Sequence, residues 1–187
     1  MSATRLAPLA APVVIRAAVE ADLPAIAELY RHYVLTGTAS FEVAAPSVDE
    51  MRRRHLDVLS QGLPYLVASL PDQDTPVAGY AYATAYRSRI AYRHTVEDSV
   101  YVAPGAARRG AGRALLSAVV AACEEAGYRQ MVAVIGGSDN AASMALHSAL
   151  GFRHAGVLSG VGRKFDRWVD TVLMQRALGP GISAPAP

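Results

Sequence analysis

The sequence predicts one α/β domain with a mixed, mostly antiparallel central sheet of about seven strands, flanked by about four helices. Three observations predict it. The chain has 187 residues and is 52% apolar, which is one domain by default and enough for a sizeable core. Segments of strand-like and helix-like apolar spacing follow in the order β-α-α-β-β-β-α-β-α-β-β. Residues 131–135, MVAVI, are continuously apolar and read as a central strand.

Residues 13–17 form the first predicted strand. Asp22 can cap the next helix, with Pro24 in its first turn, and Leu23, Ile26, Ala27, Tyr30 and Val34 fall on one face. Ser47-x-x-Glu50 is a capping box that opens a second helix, running to about Gly62. Arg52 to Arg54 lie in that helical pattern and read as a solvated face. Residues 65–70, 77–86 and 95–102 read as strands, with a turn at 71–76. A third helix carries Leu115, Leu116, Val119, Val120 and Cys123 and stops at Gly127. Ser138, Asp139 or Asn140 can cap the fourth, which ends at Gly151. Strands near 154–161 and 167–177 finish the domain, and Trp168 reads as core.

The start, MSATRLAPLAAPVV, has one Arg and an apolar stretch, as a signal peptide does. Pro8 and Pro12 interrupt it, so residues 1–12 are expected to be a disordered tail. Residues 179–187, GPGISAPAP, are expected to be another, which leaves 13–178 as the domain.

The segment richest in chemistry is VYVAPGAARRGAGR, residues 100–113. A strand runs into a Gly- and Arg-rich loop that opens a helix. Gly110, Ala111 and Gly112 let backbone approach a ligand closely. The helix start adds free N–H groups and the positive end of its dipole, which together suit a phosphate or pyrophosphate. Arg108, Arg109 and Arg113 add charge there. The spacing fits neither GxxxxGK[ST] nor GxGxxG, so neither a nucleoside-triphosphate loop nor a dinucleotide fold is expected.

Several classes are disfavoured. A formal charge of +2 implies no polyanion partner, and basic and aromatic residues are not interleaved as in nucleic-acid binders. The five histidines have no metal-ligand spacing, so no metal is expected. No apolar run reaches membrane-spanning length. The one cysteine, Cys123, follows Val119 and Val120 at helical spacing and reads as a buried thiol, which suits a reducing cytoplasm.

The chain resembles the GCN5-related N-acetyltransferases. Their pyrophosphate loop has the form [Q/R]-x-x-G-x-[G/A]; here residues 107–112 read ARRGAG, with Ala107 where Gln or Arg is usual. TASFE (38–42), YRHTVEDS (92–99), SVYV (99–102), NAASMALHSALGF (140–152) and GRKFDRWVD (162–170) are similar to the phosphinothricin and methionine sulfoximine acetyltransferases. The resemblance implies that fold, acetyl-CoA as co-substrate, and direct transfer to the α-amine of a small amino acid or analogue such as phosphinothricin, methionine sulfoximine or methionine sulfone. It also implies a homodimer. Other amines (a polyamine, an aminoglycoside, a protein N-terminus) and a non-catalytic acetyl-CoA-binding module are the alternatives.

Roles follow from the resemblance. Glu97 is the candidate base, directly or through a water, or else a rim carboxylate beside Arg87 or Arg93; burial against Tyr80, Tyr82 or Tyr86 can raise its pKa. Asp98 points to the opposite strand face. Val100, Tyr101 and Val102 are suited to hold the pantetheine arm through backbone hydrogen bonds. Asn140 and Ser143 are placed near the cofactor. His147 is the acid for the leaving thiolate, or a structural histidine with no acid needed. An amino-acid carboxylate needs a cation, for which Arg87, Arg93 and Lys164 are candidates. Phe41, Tyr92 and Phe165 can enclose the acceptor side chain, and Glu42 can orient its ammonium.

Overall fold

The computed structural model describes residues 12–71 and 76–185. The tail expected over residues 1–12 thus lies, up to residue 11, outside the described residues. Residues 179–185 follow the last strand as turns, with Gly181 N–H donating to the Leu178 carbonyl.

Seven strands form one sheet in the order β1-β2-β3-β4-β5-β7-β6. They are β1 (Val14–Ala17), β2 (Tyr65–Ser69), β3 (Gly79–Ala85), β4 (Thr95–Val102), β5 (Gln130–Gly136), β6 (Arg153–Lys164) and β7 (Arg167–Ala177). Every pairing is antiparallel except β4 with β5, where α3 (Ala111–Glu125) supplies the crossover that parallel neighbours require. The other helices are α1 (Leu23–Thr36), α2 (Val48–Ser60) and α4 (Ala141–Ala149).

α3 and α4 cover one face of the sheet; α1 and α2 cover the β2–β4 part of the other. The α3 stripe predicted from spacing is wholly buried: Leu115, Leu116, Val119, Val120 and Cys123 pack on Val96, Met131 and Ala133. Truncating one such leucine costs about 2–5 kcal/mol. On the other face stands a wall of tyrosines. Tyr65 stacks on Tyr82 at 5.0 Å between ring centroids, Tyr80 on Tyr101 at 5.1 Å, and Tyr30 of α1 meets Tyr101 edge-on at 5.2 Å.

Several local expectations change form. Asp22 precedes α1 but does not cap it; its carboxylate takes two bonds from Arg16 at 2.6 and 2.7 Å and one from Val19 N–H. Ser47 caps α2 through Glu50 N–H, but the Glu50 carboxylate turns to Arg53 and Arg54 instead of completing the box. Asn140 caps α4, accepting from Ser143 N–H, so neither Ser138 nor Asp139 does.

Trp168 is not in the core: it is 71% exposed. The β6–β7 hairpin runs past the helices, so nothing covers that position. The hairpin turns at Phe165 and Asp166, both with positive φ (50° and 57°), a conformation that a phenylalanine rarely adopts.

Candidate active site

The strands that carry the site part company midway. β4 and β5 pair only from Thr95↔Gln130 to Asp98↔Ala133. Beyond that point Ser99–Val102 stay with β3 and Val134–Gly136 stay with β7. The gap is a slot of about 600 Å³, walled by residues 98–102 on one side and by Val134–Gly136 and α4 on the other. Tyr33 of α1 donates to the Val102 carbonyl at 2.6 Å across one edge.

The glycine loop closes one end of the slot. Arg108, Gly110, Gly112 and Arg113 line it, whereas Arg109 and Ala111 do not. Gly110 has φ +88° with open space around its missing Cβ, so it is needed for its left-handed conformation, as the residue before α3. Gly112 is needed for closeness: a Cβ would lie 3.3 Å from both Leu146 and Val102 side chains. The first turn of α3 therefore points its free N–H groups into the slot, a seat for a phosphate group. Asn140, Ser143 and His147 line the α4 wall.

Glu97 and Asp98 face opposite sides of the sheet. Asp98 lies on the slot side, only 5% exposed, with its Oδ2 3.0 Å from His147 Nε2. The ring of His147 is engaged at both nitrogens, since Nδ1 lies 2.8 Å from the Ser143 carbonyl. The ring expected as an acid thus has both nitrogens already engaged by protein partners. Glu97 faces the tyrosine wall. Burial raises the pKa of its carboxyl, the Asp98 charge raises it further, and Arg87 draws it back.

A strap, residues 37–47, runs between α1 and α2. The Lys164 ammonium, 4% exposed, donates to the Ser40 carbonyl at 2.6 Å. Tyr30 Oη donates to Glu42 at 2.8 Å, and Arg54 grips the same carboxylate at 2.6 Å. The Phe41 ring fits against two glycines; a Cβ on Gly162 would come within 2.2 Å of it, and one on Gly136 within 2.9 Å.

A profile of the acetyltransferase (GNAT) domain matches residues 15–173. The chain belongs to the GNAT acetyltransferase family. It is 57% identical over 160 residues to a phosphinothricin N-acetyltransferase of Alcaligenes faecalis, covering 86% of this chain and 80% of that one. It is 40% identical over 171 residues to an L-methionine sulfoximine/L-methionine sulfone acetyltransferase of Pseudomonas aeruginosa, covering 91% and 98%. The crystal structure of a GNAT phosphinothricin acetyltransferase from Sinorhizobium meliloti, in complex with AcCoA, superposes with a TM-score of 0.89 at 47% identity, covering 94% and 93% of the two chains.

Within this GNAT domain the structure groups the expected residues unevenly. Val100, Tyr101, Val102, Asn140 and Ser143 share the slot. Phe41, Glu42 and Lys164 meet at the strap, where Glu42 and Lys164 already hold protein partners. Arg87 lies over the Tyr86 ring at 4.9 Å, and Tyr86 meets Tyr92 edge-on at 5.7 Å, which groups these residues at the start of β4. Arg93 and Phe165 are exposed. Sequence reasoning missed Tyr33, Arg54 and Asp98. Arg54 is not part of a solvated face: it turns inward to Glu42, while Arg52 and Arg53 make surface pairs with Glu20 and Asp57. Among the described residues no group of three or more His, Cys, Asp or Glu is placed to hold a metal.

Proposed function

We propose that this chain transfers the acetyl group of acetyl-CoA to the α-amine of a small amino acid or analogue of the phosphinothricin, methionine sulfoximine or methionine sulfone type. The observation that carries the reading is the slot between β4 and β5, ending at the glycine loop, with half-buried Glu97 on the strand that walls it. The residues present fit the co-substrate. The edge of β4 beyond Asp98 has no strand partner on the slot side, so the backbone of Val100–Val102 can bond an extended pantetheine arm as an added strand would. Gly110, Gly112, Arg108 and Arg113 suit the pyrophosphate, with Arg109 and Ala111 shaping the loop. Asn140 and Ser143 orient the arm from the α4 wall. Acetyl-CoA supplies an activated thioester; the protein supplies position and a proton acceptor.

An ammonium has no lone pair, so the acceptor must lose a proton first. Glu97 takes it, directly or through a water, and its raised pKa makes it a better base for an amine than an exposed carboxylate. His147 is assigned no proton transfer, because both its ring nitrogens are engaged. A thiolate is a good leaving group and needs no acid. Holding the two substrates together can itself contribute up to about 10 kcal/mol. Phe41, Tyr92 and Phe165 enclose the acceptor, Arg87 and Arg93 serve its carboxylate, and Glu42 and Lys164 act by fixing the strap.

The chain further acts as a cytoplasmic homodimer, without nucleic acid or membrane. Exposed Val134, Leu158 and Trp168 at one end of the sheet support self-association, and the lone buried thiol of Cys123 suits a reducing compartment.

The test is thiol release from acetyl-CoA with methionine sulfoximine, methionine sulfone, phosphinothricin, natural amino acids, spermidine and a short peptide. Release with the sulfoximine, sulfone or phosphinothricin is expected. Release with spermidine or peptide alone would overturn the acceptor assignment and keep the reaction class.

A further inference from the structure

We propose that Asp98 and His147 are positioning residues for acetyl-CoA, whose buried hydrogen bond ties α4 to β4 at the fork of the slot and sets its width. This rests on the acetyl-CoA reading above. The last paired residue before β4 and β5 separate is Asp98, opposite Ala133. From there one slot wall is β4 and the other is β5 continued by α4. The Asp98–His147 bond bridges the two walls at that fork, with side chains only 1% and 3% exposed. The same imidazole ends on the carbonyl of Ser143, a residue of the slot, and its ring is braced edge-on by Phe152 at 5.0 Å. Position of the α4 wall therefore passes through one ring.

The bond needs a shared proton. A carbonyl oxygen carries no hydrogen, so it can only accept from Nδ1 at 2.8 Å; the Ser143 hydroxyl, 3.3 Å from the same nitrogen, is the longer contact. Nε2 faces a carboxylate oxygen at 3.0 Å, and a lone pair there would oppose another lone pair. One proton must lie between them. When one proton leaves, a ring nitrogen must face an acceptor without a hydrogen, either at Asp98 or, in the other tautomer, at the Ser143 carbonyl, so the link from β4 through the ring to Ser143 is weakened.

Beside the pair only the Ser143 hydroxyl, 3.3 Å from Nδ1, offers another hydrogen, and it reaches Nδ1 rather than the Asp98 carboxylate. Asp98 Oδ1 is buried and has no hydrogen-bond partner. On β4 the next carboxylate, Glu97, lies on the opposite face and is of the same sign. From α3 comes Cys123, whose thiol is pushed up to about 12 by burial, with the Asp98 charge adding to it. Glu124 of α3 is paired with Arg176 of β7 at 3.2 Å, and Arg176 also donates to the Leu150 carbonyl. β5 brings only Ala133 opposite Asp98. Burial opposes a charge on His147, but the Asp98 bond and charge, with the Ser143 carbonyl, outweigh it and raise its pKa above the usual imidazole value. The link is thus fully made at and below the ordinary imidazole range and is weakened as pH rises through the raised value.

Asp98→Asn separates charge from contact. Its amide N–H can donate to Nε2 of a neutral His147 while Nδ1 still donates to Ser143, so the tie survives without the shared proton. Acetyl-CoA binding is measured by titration calorimetry from pH 6 to 9, in a Glu97→Gln background that removes the titration of Glu97. The parent should weaken roughly tenfold across that range relative to Asp98→Asn, which should stay flat once the ligand's own phosphate titration, common to both, is subtracted. Asp98→Ala, with folding checked by circular dichroism, should bind roughly tenfold more weakly at pH 6. With Glu97 intact, it should raise the KM for acetyl-CoA and leave that for the amine within about twofold. Asp98→Asn tracking the parent at every pH, or folded Asp98→Ala binding like the parent, overturns the tie alone. A folded parent that binds no acetyl-CoA at any pH overturns the functional reading with it.

Discussion

Glu97 is under two opposed demands. As a base it gains from burial, because a carboxyl with a raised pKa takes a proton more readily. As part of a folded chain it loses from the same burial, because at neutral pH the fold must hold a carboxylate where water is scarce. Glu97→Gln separates the two. Turnover should fall about 10²–10⁴-fold while the Kd for acetyl-CoA stays within about twofold, as read by thiol release and calorimetry. In the parent, kcat/KM should rise with pH as Glu97 loses its proton, with the midpoint above the ordinary 4.5. The variant should lose that limb. Stability should move the other way. A raised carboxyl pKa favours the protonated folded form, so the parent is penalised as pH rises through that pKa. The melting temperature of Glu97→Gln should exceed the parent's at pH 7, and the gap should close as pH falls to 4.5. A variant that keeps full turnover would remove Glu97 from the chemistry.

The elements around the site are held by contacts that differ in how far apart their residues lie. The strap depends on two glycines. In Gly162→Ala a Cβ would sit 2.2 Å from the Phe41 ring, so the ring must swing away from its seat. The KM for the amine acceptor should rise roughly tenfold and that for acetyl-CoA should barely change, since the slot lies elsewhere. Equal changes in both would mean a general loss of structure. β1 and the start of α1 depend on Asp22, 4% exposed and gripped by Arg16. Asp22→Ala should cost about 2 kcal/mol in chemical denaturation at pH 7. Arg16 holds the pKa of Asp22 low, against the opposing effect of burial, and Val19 N–H adds to the lowering. That contribution is present above the ordinary 3.8 and fades as pH falls through the depressed value. Local patterns of this kind were partly legible in the sequence. The glycine loop, the α3 stripe and the seven strands each follow from residues close together in the chain. The tie between Asp98 and His147 spans 49 residues and was not legible, because spacing gives a residue's face but not its partner. Arg54 was misread for the same reason: its helix angle was clear, but not that the strap carries Glu42 across it.

The whole molecule has a sheet that its helices cover unequally. The register places Val134 opposite Leu173 and Leu158 opposite Thr171, all on the face that bears Glu97. Over β2–β4 that face lies under α1 and α2; over β5, β7 and β6 no helix among the described residues covers it. Val134 is 40% and Leu158 47% exposed. A surface of that kind is what a homodimer would bury, and the hairpin would then bring Lys164 and Phe165 near the junction of two chains. Leu158→Glu puts a charge in its middle, where an unpaired carboxylate resists desolvation. Light scattering after size exclusion should give the mass of two chains for the parent and of one for the variant, with an unchanged far-UV spectrum. The acceptor pocket should feel the change more than the slot, because the strap is tied to the hairpin through Lys164 and Ser40. The KM for the amine should therefore rise in the monomer while acetyl-CoA binding holds. A parent that runs as one chain at micromolar concentration and is fully active would leave this face without a role in self-association.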